Sequence, residues 1–257
     1  MQSNTSLHII GDSFSEISSV DSTNNHASKV IQAKMAAHGQ TFFAHEQLSG
    51  KGQYGKQWKT EKSSNIIQSS ILDVSFLSVS AQFQLIATMA IAVHDFFSKY
   101  VAEESFIKWP NDLYWRERKV GGILIENANP MVNSDIKAWQ WAIVGIGINI
   151  NQVKFPENIP NPVSLKQITG KDHIPVILSK ELCKNMEYWY QKLRKGSFTT
   201  ILEYYNQYLY KRNRIVKLRK GNIAFECTIL MVDEQGFLHV AGAAVDKFSF
   251  GEVEWML

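Results

Sequence analysis

A glycine-rich loop with two lysines is the first stretch of this sequence whose residue types could do chemistry. Residues 50–58 are GKGQYGKQW, with three glycines within six positions. Glycine lets a backbone come close to a ligand, and the free amide groups of such a loop can bind phosphates. Lys51 and Lys56 add positive charge, and Trp58 offers a flat face on which a purine can stack. On composition alone, a flexible surface turn is the more common explanation.

A second stretch, KWPNDLY at 108–114, combines a cation, an amide and a carboxylate. Pro110 ends the preceding strand and biases the residue before it to an extended conformation. Asn111 and Asp112 then follow at a strand end, from which polar side chains reach a pocket. Taken alone, an Asn-Asp turn within a β-hairpin is the more common explanation. Lys119 comes just before a Gly-Gly pair, whose small residues leave room for a ligand beside the ammonium group.

Residues 145–151, GIGININ, resemble a dinucleotide-binding motif only superficially. The third glycine of GxGxxG is missing, and no helical pattern follows. The pattern favours a strand whose glycines admit something against the sheet, with Asn149 as a side-chain amide at its end.

Residues 21–24, DSTN, are typical of a helix N-terminus, and capping is the favoured role. Small hydroxyls at a helix start can also bind a polar ligand. Apolar residues follow at helical spacing, namely Ala27, Val30, Ile31 and Met35.

The elements that would position these groups follow from hydrophobic periodicity. Alternation and apolar runs predict strands at 41–47, 65–72, 105–108, 120–126 and 138–150. Three- and four-residue spacing predicts helices around 83–97, 177–193 and 201–209. After Lys211, short β-type runs alternate with turns, at 214–218, 223–232, 237–241, 245–250 and 252–256. The pattern therefore predicts an α+β part over 1–209 and a small all-β module over 210–257.

Composition excludes several classes of protein. The net charge of +3 over 257 residues is too small to indicate a nucleic-acid partner. No apolar run approaches the roughly 18 residues of a membrane span, and the N-terminus lacks a signal core. Cys183 and Cys227 are far apart and match no metal-ligand or disulfide pattern. We therefore expect a cytoplasmic protein with no membrane or nucleic-acid partner.

Taken in this order, the four stretches resemble the biotin–protein ligase family from about residue 20 to the C-terminus. The KWPND block and the glycine loop that ends in tryptophan are the specific parts. The resemblance implies a mixed β-sheet with flanking helices, as in class II aminoacyl-tRNA synthetases and biotin ligases. It also implies a small SH3-like β-barrel at the C-terminus.

The resemblance implies a site for two substrates, biotin and ATP, together with Mg²⁺. The residues expected at biotin are Ser22, Thr23, Asn24, Gln47, Gly50, Lys51, Gly52, Gln53, Lys119 and Gly122. Those expected at ATP or the adenylate are Gly55, Lys56, Trp58, Asn111, Asp112, Lys119, Gly147 and Asn149. Lys119, Asp112 and Lys51 are the expected catalytic residues. Asp112 would lie near the bound magnesium or near the incoming lysine, and the resemblance does not choose between them.

The implied reaction joins two anions. The biotin carboxylate attacks the α-phosphorus of ATP, which forms biotinyl-5'-AMP, and cationic residues offset the repulsion. A lysine of a biotin carboxyl carrier domain, part of a biotin-dependent carboxylase, then takes the biotin. Several family members carry an N-terminal DNA-binding domain, but only about twenty residues precede Ser22, so we expect a ligase without repressor function. The sequence leaves two roles open for strand 138–148: pairing edge to edge with a second copy in a homodimer, or an internal position in the sheet, which Ala- and Ile-rich strands take equally often.

The loop departs from the arginine-rich form common in the family, because Lys51, Gln53 and Lys56 stand at its arginine positions. Lysine keeps the charge but loses the planar fork of arginine, and Gln53 removes a charge. We therefore expect normal chemistry with weaker retention of the adenylate.

Three alternatives compete with this interpretation. Lipoate–protein ligases share the chemistry, but their Arg-Arg-x-x-Gly-Gly-Gly pattern is absent, and His94-Asp95 falls inside a helix. A non-catalytic biotin-binding regulator would not need the nucleotide-facing residues. Nucleic-acid binding by the C-terminal module rests on a basic cluster, namely Lys211, Arg212, Arg214, Lys217, Arg219 and Lys220. A solvated strand, or a patch that recruits an acidic carrier domain, is the favoured explanation of that cluster.

Overall fold

The computed structural model describes residues 8–101, 104–128, 139–157 and 159–256. The larger of the two described sheets has seven strands, in the order β1-β2-β3-β7-β6-β5-β4. The first pair is parallel and the others are antiparallel, so the sheet is mixed. Its strands are β1 Phe14–Ile17, β2 Thr41–Ala44, β3 Ile66–Asp73, β4 Ser105–Lys108, β5 Asp112–Trp115, β6 Arg118–Asn127 and β7 Trp141–Ile148.

Among the described residues, five α-helices accompany this sheet: α1 Thr23–Gln32, α2 Gln82–Val101, α3 Leu165–Thr169, α4 Pro175–Arg194 and α5 Phe198–Gln207. A proline at its first position starts α4, where the missing N–H costs nothing. A reciprocal capping box between Ser164 and Gln167 starts α3, and Gly170 ends it in the left-handed conformation. None of the described helices combines the length and the apolar character needed to cross a bilayer.

The two faces of β7 differ because successive side chains of a strand point to opposite sides. Its even positions, such as Val144 and Ile146, belong to the buried cluster that contains the apolar residues of α2 and α4. On the odd positions, Ile143 packs with Ala27 of α1, and the next two are glycines. The helices α2 and α4 therefore cover one face of the sheet, whereas the other face carries α1 and two positions without side chains.

A second, antiparallel sheet follows at the C-terminus, in the order β11-β10-β9-β8-β12. Its strands are β8 Ile215–Lys220, β9 Ile223–Val232, β10 Leu238–Ala241, β11 Lys247–Phe248 and β12 Glu254–Trp255. The side chain of Asn206 joins it to α5, because it accepts from Val232 N at 2.7 Å and donates to Val232 O at 2.9 Å. The predicted mixed sheet with flanking helices and C-terminal all-β module is confirmed. The boundary between 209 and 210 stays a prediction and falls between α5 and β8.

Several sequence predictions were wrong in detail. The strand predicted at 41–47 ends at Ala44, and Met35 lies beyond the end of α1 with 71% of its surface exposed. The sequence did not predict β1, β5 or α3. Each is five residues or shorter, which is too short to show a clear hydrophobic periodicity. The predicted strand 138–150 covers β7, and residue 138 lies outside the described residues.

Of the two roles left open for strand 138–148, the internal position is confirmed, and edge-to-edge pairing with a second copy through this strand is wrong. In the structure β7 is a central strand, hydrogen-bonded to β3 on one side and to β6 on the other. Its backbone groups are therefore already paired along both edges. The outer strands of this sheet are β1 and β4, and Ile107 of β4 also pairs with Leu209.

Candidate active site

Three paired residues on neighbouring strands, Gly147, Gly122 and Asp112, form a row that we call the floor of the site. In the strand register, Gly147 of β7 pairs with Gly122 of β6, which pairs with Asp112 of β5. Directly paired residues point to the same face of a sheet, so the Asp112 carboxylate stands beside two positions without side chains. Gly145 lies two residues before Gly147 and therefore faces the same side.

Two side chains occupy the space that these glycines leave. A methyl group on Gly147 would come within 2.5 Å of the Trp58 ring, and one on Gly145 would collide with the Asn24 amide. The buried indole nitrogen of Trp58 has no hydrogen-bond partner in the described part of the chain. Close approach, rather than backbone conformation, therefore explains why glycine is required at both positions.

A β-bulge turns Lys119 toward this floor. Tyr114 pairs with Lys119, whereas Leu113 pairs with Gly121, so Val120 is an extra residue in β6. Regular alternation would place Lys119 and Gly122 on opposite faces, and the bulge reverses this. Lys119 Nζ consequently lies 2.7 Å from Asp112 Oδ1 and 5.9 Å from the centre of the Trp58 ring.

Polar groups at the start of α1 form a second part of the site. Gln47 Oε1 accepts hydrogen bonds from Thr23 N at 2.8 Å and from Thr23 Oγ1 at 3.1 Å. Ser69 Oγ, in the buried strand β3, lies 2.7 Å from Thr23 Oγ1 and 2.6 Å from Asn24 Oδ1. Four hydroxyl or amide side chains therefore converge from α1, from β3 and from the connection after β2.

Ser22 sits at the N-cap of α1, but its side chain makes no capping hydrogen bond, so the favoured capping role is wrong for this residue. Its carbonyl oxygen accepts from His26 N at 2.9 Å, and only 1% of its surface is exposed. Its hydroxyl is therefore available for another purpose beside the Thr23 network.

Glu126 connects this region to the loop over 50–58. Its carboxylate accepts from Asn24 Nδ2 at 2.6 Å and from Lys51 Nζ at 3.3 Å. A cavity of about 220 Å³ adjoins the pair, and Lys51, Glu126 and Ser28 contribute to its lining. A wider groove of about 530 Å³ lies elsewhere, among α2, α4 and α5, and none of the predicted site residues lines it. We place the site at the glycine floor because the predicted chemistry converges there.

The loop over 50–58 has its own local order. Gly52 N donates to Lys56 O at 2.7 Å, and Trp58 N donates to Gly50 O at 2.9 Å, so the two ends of the loop run side by side. Gln53 opens a single 3₁₀ turn that ends at Gly55, in the left-handed conformation with φ of 73°. Outside this turn, a side chain on Gly50 would collide with Trp58 O.

Two predicted ligands of the nucleotide are engaged with backbone in this structure. Asn111 Nδ2 donates to Ile123 O, and Asn149 Nδ2 donates to Val163 O at 3.2 Å. Both residues are buried at strand ends, where they brace the adjoining chain. Their contact with adenine stays a prediction.

Sequence reasoning missed three polar residues that lie near the site: Ser69, Glu126 and Lys108. A polar residue in the middle of an apolar strand was the available signal for Ser69. Lys108 was quoted as part of its motif but given no role. Burial lowers the pKa of Lys108 to about 8; nearby Asp112 opposes the shift, and the charges of Lys119 and Lys56 add to it.

Other candidates have ordinary structural roles. His94, inside α2, lies 3.0 Å from Ser105 O and stacks at 4.1 Å on Tyr208. In the basic cluster, three residues form ion pairs with glutamates, namely Lys211 with Glu117, Arg219 with Glu254 and Lys220 with Glu252. Much of the cluster's charge is therefore compensated within the chain, which weakens the nucleic-acid interpretation.

Comparison with known proteins identifies relatives of this arrangement. The model of the biotin/lipoate A/B protein ligase family matches residues 16–149. The bifunctional ligase/repressor BirA of Bacillus subtilis is 29% identical over 209 residues, which cover 79% of this chain and 62% of that protein. A biotin–[acetyl-CoA-carboxylase] ligase of Paracoccus denitrificans is 26% identical, with 87% of this chain and 92% of that protein covered.

Solved structures share the fold. The biotin protein ligase of Aquifex aeolicus, in complex with biotin and ATP, superposes with a TM-score of 0.77 at 24% identity. The match covers 95% of this chain and 98% of that one. The chain therefore spans nearly all of this structural relative, but about three fifths of the length of the Bacillus protein.

Proposed function

Because the chain belongs to the biotin/lipoate A/B protein ligase family, we propose that it is an ATP-dependent biotin–protein ligase. It forms biotinyl-5'-AMP and then transfers biotin to a lysine of a carrier protein. The observation that carries this proposal is the position of Lys119. Its ammonium group lies 2.7 Å from Asp112 Oδ1 and 5.9 Å from the centre of the Trp58 ring, close to Gly122, which has no side chain.

The arrangement suits a reaction between two anions. A biotin carboxylate oxygen attacks the α-phosphorus, the bond to the bridging oxygen of the β-phosphate breaks, and pyrophosphate leaves with that electron pair. Lys119 supplies positive charge where the negative charge develops, and Asp112 holds its ammonium in place. Trp58 would stack on the adenine, and Lys51 and Lys56 would add charge from the loop.

The polar group around α1 suits the other end of the vitamin. The ureido ring of biotin has two N–H donors and one carbonyl acceptor. Thr23, Gln47 and Ser69 already form a chain of hydrogen bonds that can rearrange around such a group, with Ser22 beside it. Asn24, Gly50, Gly52, Gln53 and Gly122 would complete the predicted biotin contacts.

Magnesium would enter with the nucleotide as its complex. Among the described residues, no three His, Cys, Asp or Glu side chains lie close enough to hold an ion. Mg²⁺ is commonly bound through one or two carboxylates together with substrate phosphates. Asp112 is the carboxylate that the predicted site offers, and its ion pair with Lys119 supports an orienting role.

In the second step a neutral lysine amine attacks the acyl carbon, and AMP leaves. No side-chain nucleophile is needed, which fits the two buried cysteines. We propose a biotin carboxyl carrier domain of a biotin-dependent carboxylase as the acceptor, in the cytoplasm. Support comes from the relatives whose names include acetyl-CoA-carboxylase.

The test is pyrophosphate release by the purified chain with MgATP and either biotin or lipoate. We expect biotin to stimulate release and lipoate to leave it at background. A carrier domain should then become biotinylated in the same mixture. Stimulation by lipoate alone, or biotin binding without nucleotide consumption, would contradict the proposal.

A further inference from the structure

Lys108 extends the floor of the site by one more strand. It is the last residue of β4 and pairs with Asp112 across the β4–β5 hairpin. Paired residues face the same side, so the row that begins at Gly147 and Gly122 continues through Asp112 to Lys108. Lys108 and Gly122 therefore flank Asp112 on opposite sides, and their strands are two spacings, about 10 Å, apart.

The surroundings of the Lys108 ammonium group are mostly aromatic. Its Nζ donates to Tyr114 Oη at 3.3 Å and lies 5.0 Å from the centre of the Tyr114 ring. It also lies 5.5 Å from the ring of Trp255, which belongs to β12 of the second sheet. An ammonium group has three N–H donors, and one phenol oxygen satisfies only one of them.

Lys108 forms no ion pair with any described residue. Asp112, which pairs with Lys108 across the hairpin, forms its ion pair with Lys119, whose Nζ lies 2.7 Å from Asp112 Oδ1. Lys119 and Lys56 are close enough for their charges to act against the protonated form of Lys108. Asp112 is therefore shared between Lys119 and Lys108. A partly buried cation without its own counterion is unfavourable.

We propose that Lys108 binds the β- and γ-phosphates of ATP and then the pyrophosphate leaving group. This inference rests on the proposed function and extends its site. The charge imbalance supports it, since an anion between Lys108 and Lys119 would satisfy both ammonium groups. The order of the strands supports it too. If the adenine lies at Trp58 near β7 and the α-phosphate lies at Lys119, the β- and γ-phosphates continue in the same direction, toward Lys108 on β4.

The role of Lys108 in the reaction is to stabilise the negative charge that develops on the leaving group. When the bond between the α-phosphorus and its bridging oxygen breaks, the electron pair stays on that oxygen, now part of pyrophosphate. Lys108 donates hydrogen bonds to this group and stabilises its charge, and no proton has to be transferred. Contact with Trp255 would make the second sheet one wall of this subsite.

The experiment uses the full chain and inorganic pyrophosphate as the probe, without biotin. Lys108→Met keeps an unbranched side chain against Tyr114 and Trp255 but removes the charge, whereas Lys108→Arg keeps the charge. Lys192→Met is the matched control, because Lys192 also lies over an aromatic ring, 5.5 Å from Tyr188. We expect Lys108→Met to weaken pyrophosphate binding by roughly 10- to 100-fold, the loss expected for a charge-assisted hydrogen bond.

The other expected results separate binding from packing. The KM for ATP should rise in Lys108→Met with that for biotin unchanged, and Lys108→Arg and Lys192→Met should stay within about threefold of the unmodified protein. Pyrophosphate binding within twofold of the unmodified protein in Lys108→Met would overturn the inference. An inactive unmodified protein that still binds pyrophosphate through Lys108 would instead contradict the proposed function.

A second measurement covers the case in which Lys108→Met does not fold. Reductive methylation of the unmodified protein, followed by mass spectrometry, reports the access to each lysine. Pyrophosphate should protect Lys108 and leave Lys192 unaffected. Equal methylation of Lys108 with and without pyrophosphate would overturn the inference.

Discussion

Lys119 Nζ lies 2.7 Å from Asp112 Oδ1, on the face of the sheet that carries the glycines. The pair spans the β5–β6 hairpin and exists because Val120 is an extra residue in β6. Both side chains are about three-quarters buried, at 28% and 25% exposure, so the pair is only partly screened by solvent. Such a pair fixes the position of a cation that must meet a phosphate.

Removing the Lys119 charge should slow adenylate formation. We expect Lys119→Met to lower the rate of biotin-dependent pyrophosphate release by roughly 10²- to 10³-fold, the usual effect of losing one electrostatic stabiliser of a transition state. Single-turnover release measures it, and Lys99→Met serves as the control on α2. A rate within threefold of the unmodified protein would remove Lys119 from the reaction.

Alanine at each floor glycine should affect a different substrate. Gly147→Ala would push the Trp58 ring aside, and Gly145→Ala would push the Asn24 amide aside. We expect Gly147→Ala to raise the KM for ATP and Gly145→Ala to raise the KM for biotin. Overpacking at either position should also lower the free energy of unfolding by about 1–3 kcal/mol. Steady-state kinetics with either substrate varied test this. If both variants changed the KM for ATP and the KM for biotin equally, the result would argue against two separate subsites.

Two adjacent serines in β3 offer a matched comparison. Ser69 contacts Thr23 and Asn24, whereas the hydroxyl of Ser70 lies 2.8 Å from that of Thr41 on the other face. Both are fully buried, so both alanine variants lose a hydrogen bond of about 1 kcal/mol. Only Ser69→Ala should weaken biotin binding, by roughly fivefold in calorimetry. Weaker binding in Ser70→Ala alone would contradict the assigned faces.

Acid should destabilise the fold partly through His94. Burial is the main cause that lowers the pKa of His94 below its ordinary 6.5. Just below pH 6.5 the unfolded chain therefore binds a proton at this histidine that the folded chain does not. The contribution of neutral His94 to the free energy of unfolding is complete above pH 6.5. It is lost as the pH falls through the pKa of His94 in the folded protein. One proton corresponds to at most about 1.4 kcal/mol per pH unit.

The check is urea unfolding at pH 7.5 and pH 5.5. His94→Gln keeps a donor for Ser105 O and cannot titrate, so it should lose less stability on acidification than the unmodified protein. His38 also has a pKa lowered by burial, and His38→Gln provides an independent second case. The same loss in His94→Gln as in the unmodified protein would show that His94 is not a source of acid sensitivity.

Local patterns in the sequence predicted the elements around the site. The strand over β7, with glycines at alternate positions, and the helix over α2 were both predicted, because side-chain periods of two and of 3.6 residues are properties of a short segment. The loop over 50–58 was predicted from its glycines, and the structure has no strand or α-helix there. Resemblance to a family then indicated which of these segments meet.

Only the tertiary structure decided how the groups meet. The sheet order places β7 between β3 and β6, which brings Ser69 and Glu126 to the same helix terminus although they are far apart in sequence. Regular alternation would have turned Lys119 away from Gly122, and the single bulged residue Val120 reverses it. Such facts depend on pairing between distant strands, because the backbone hydrogen bonds that choose a partner and a register carry no signature in either strand alone.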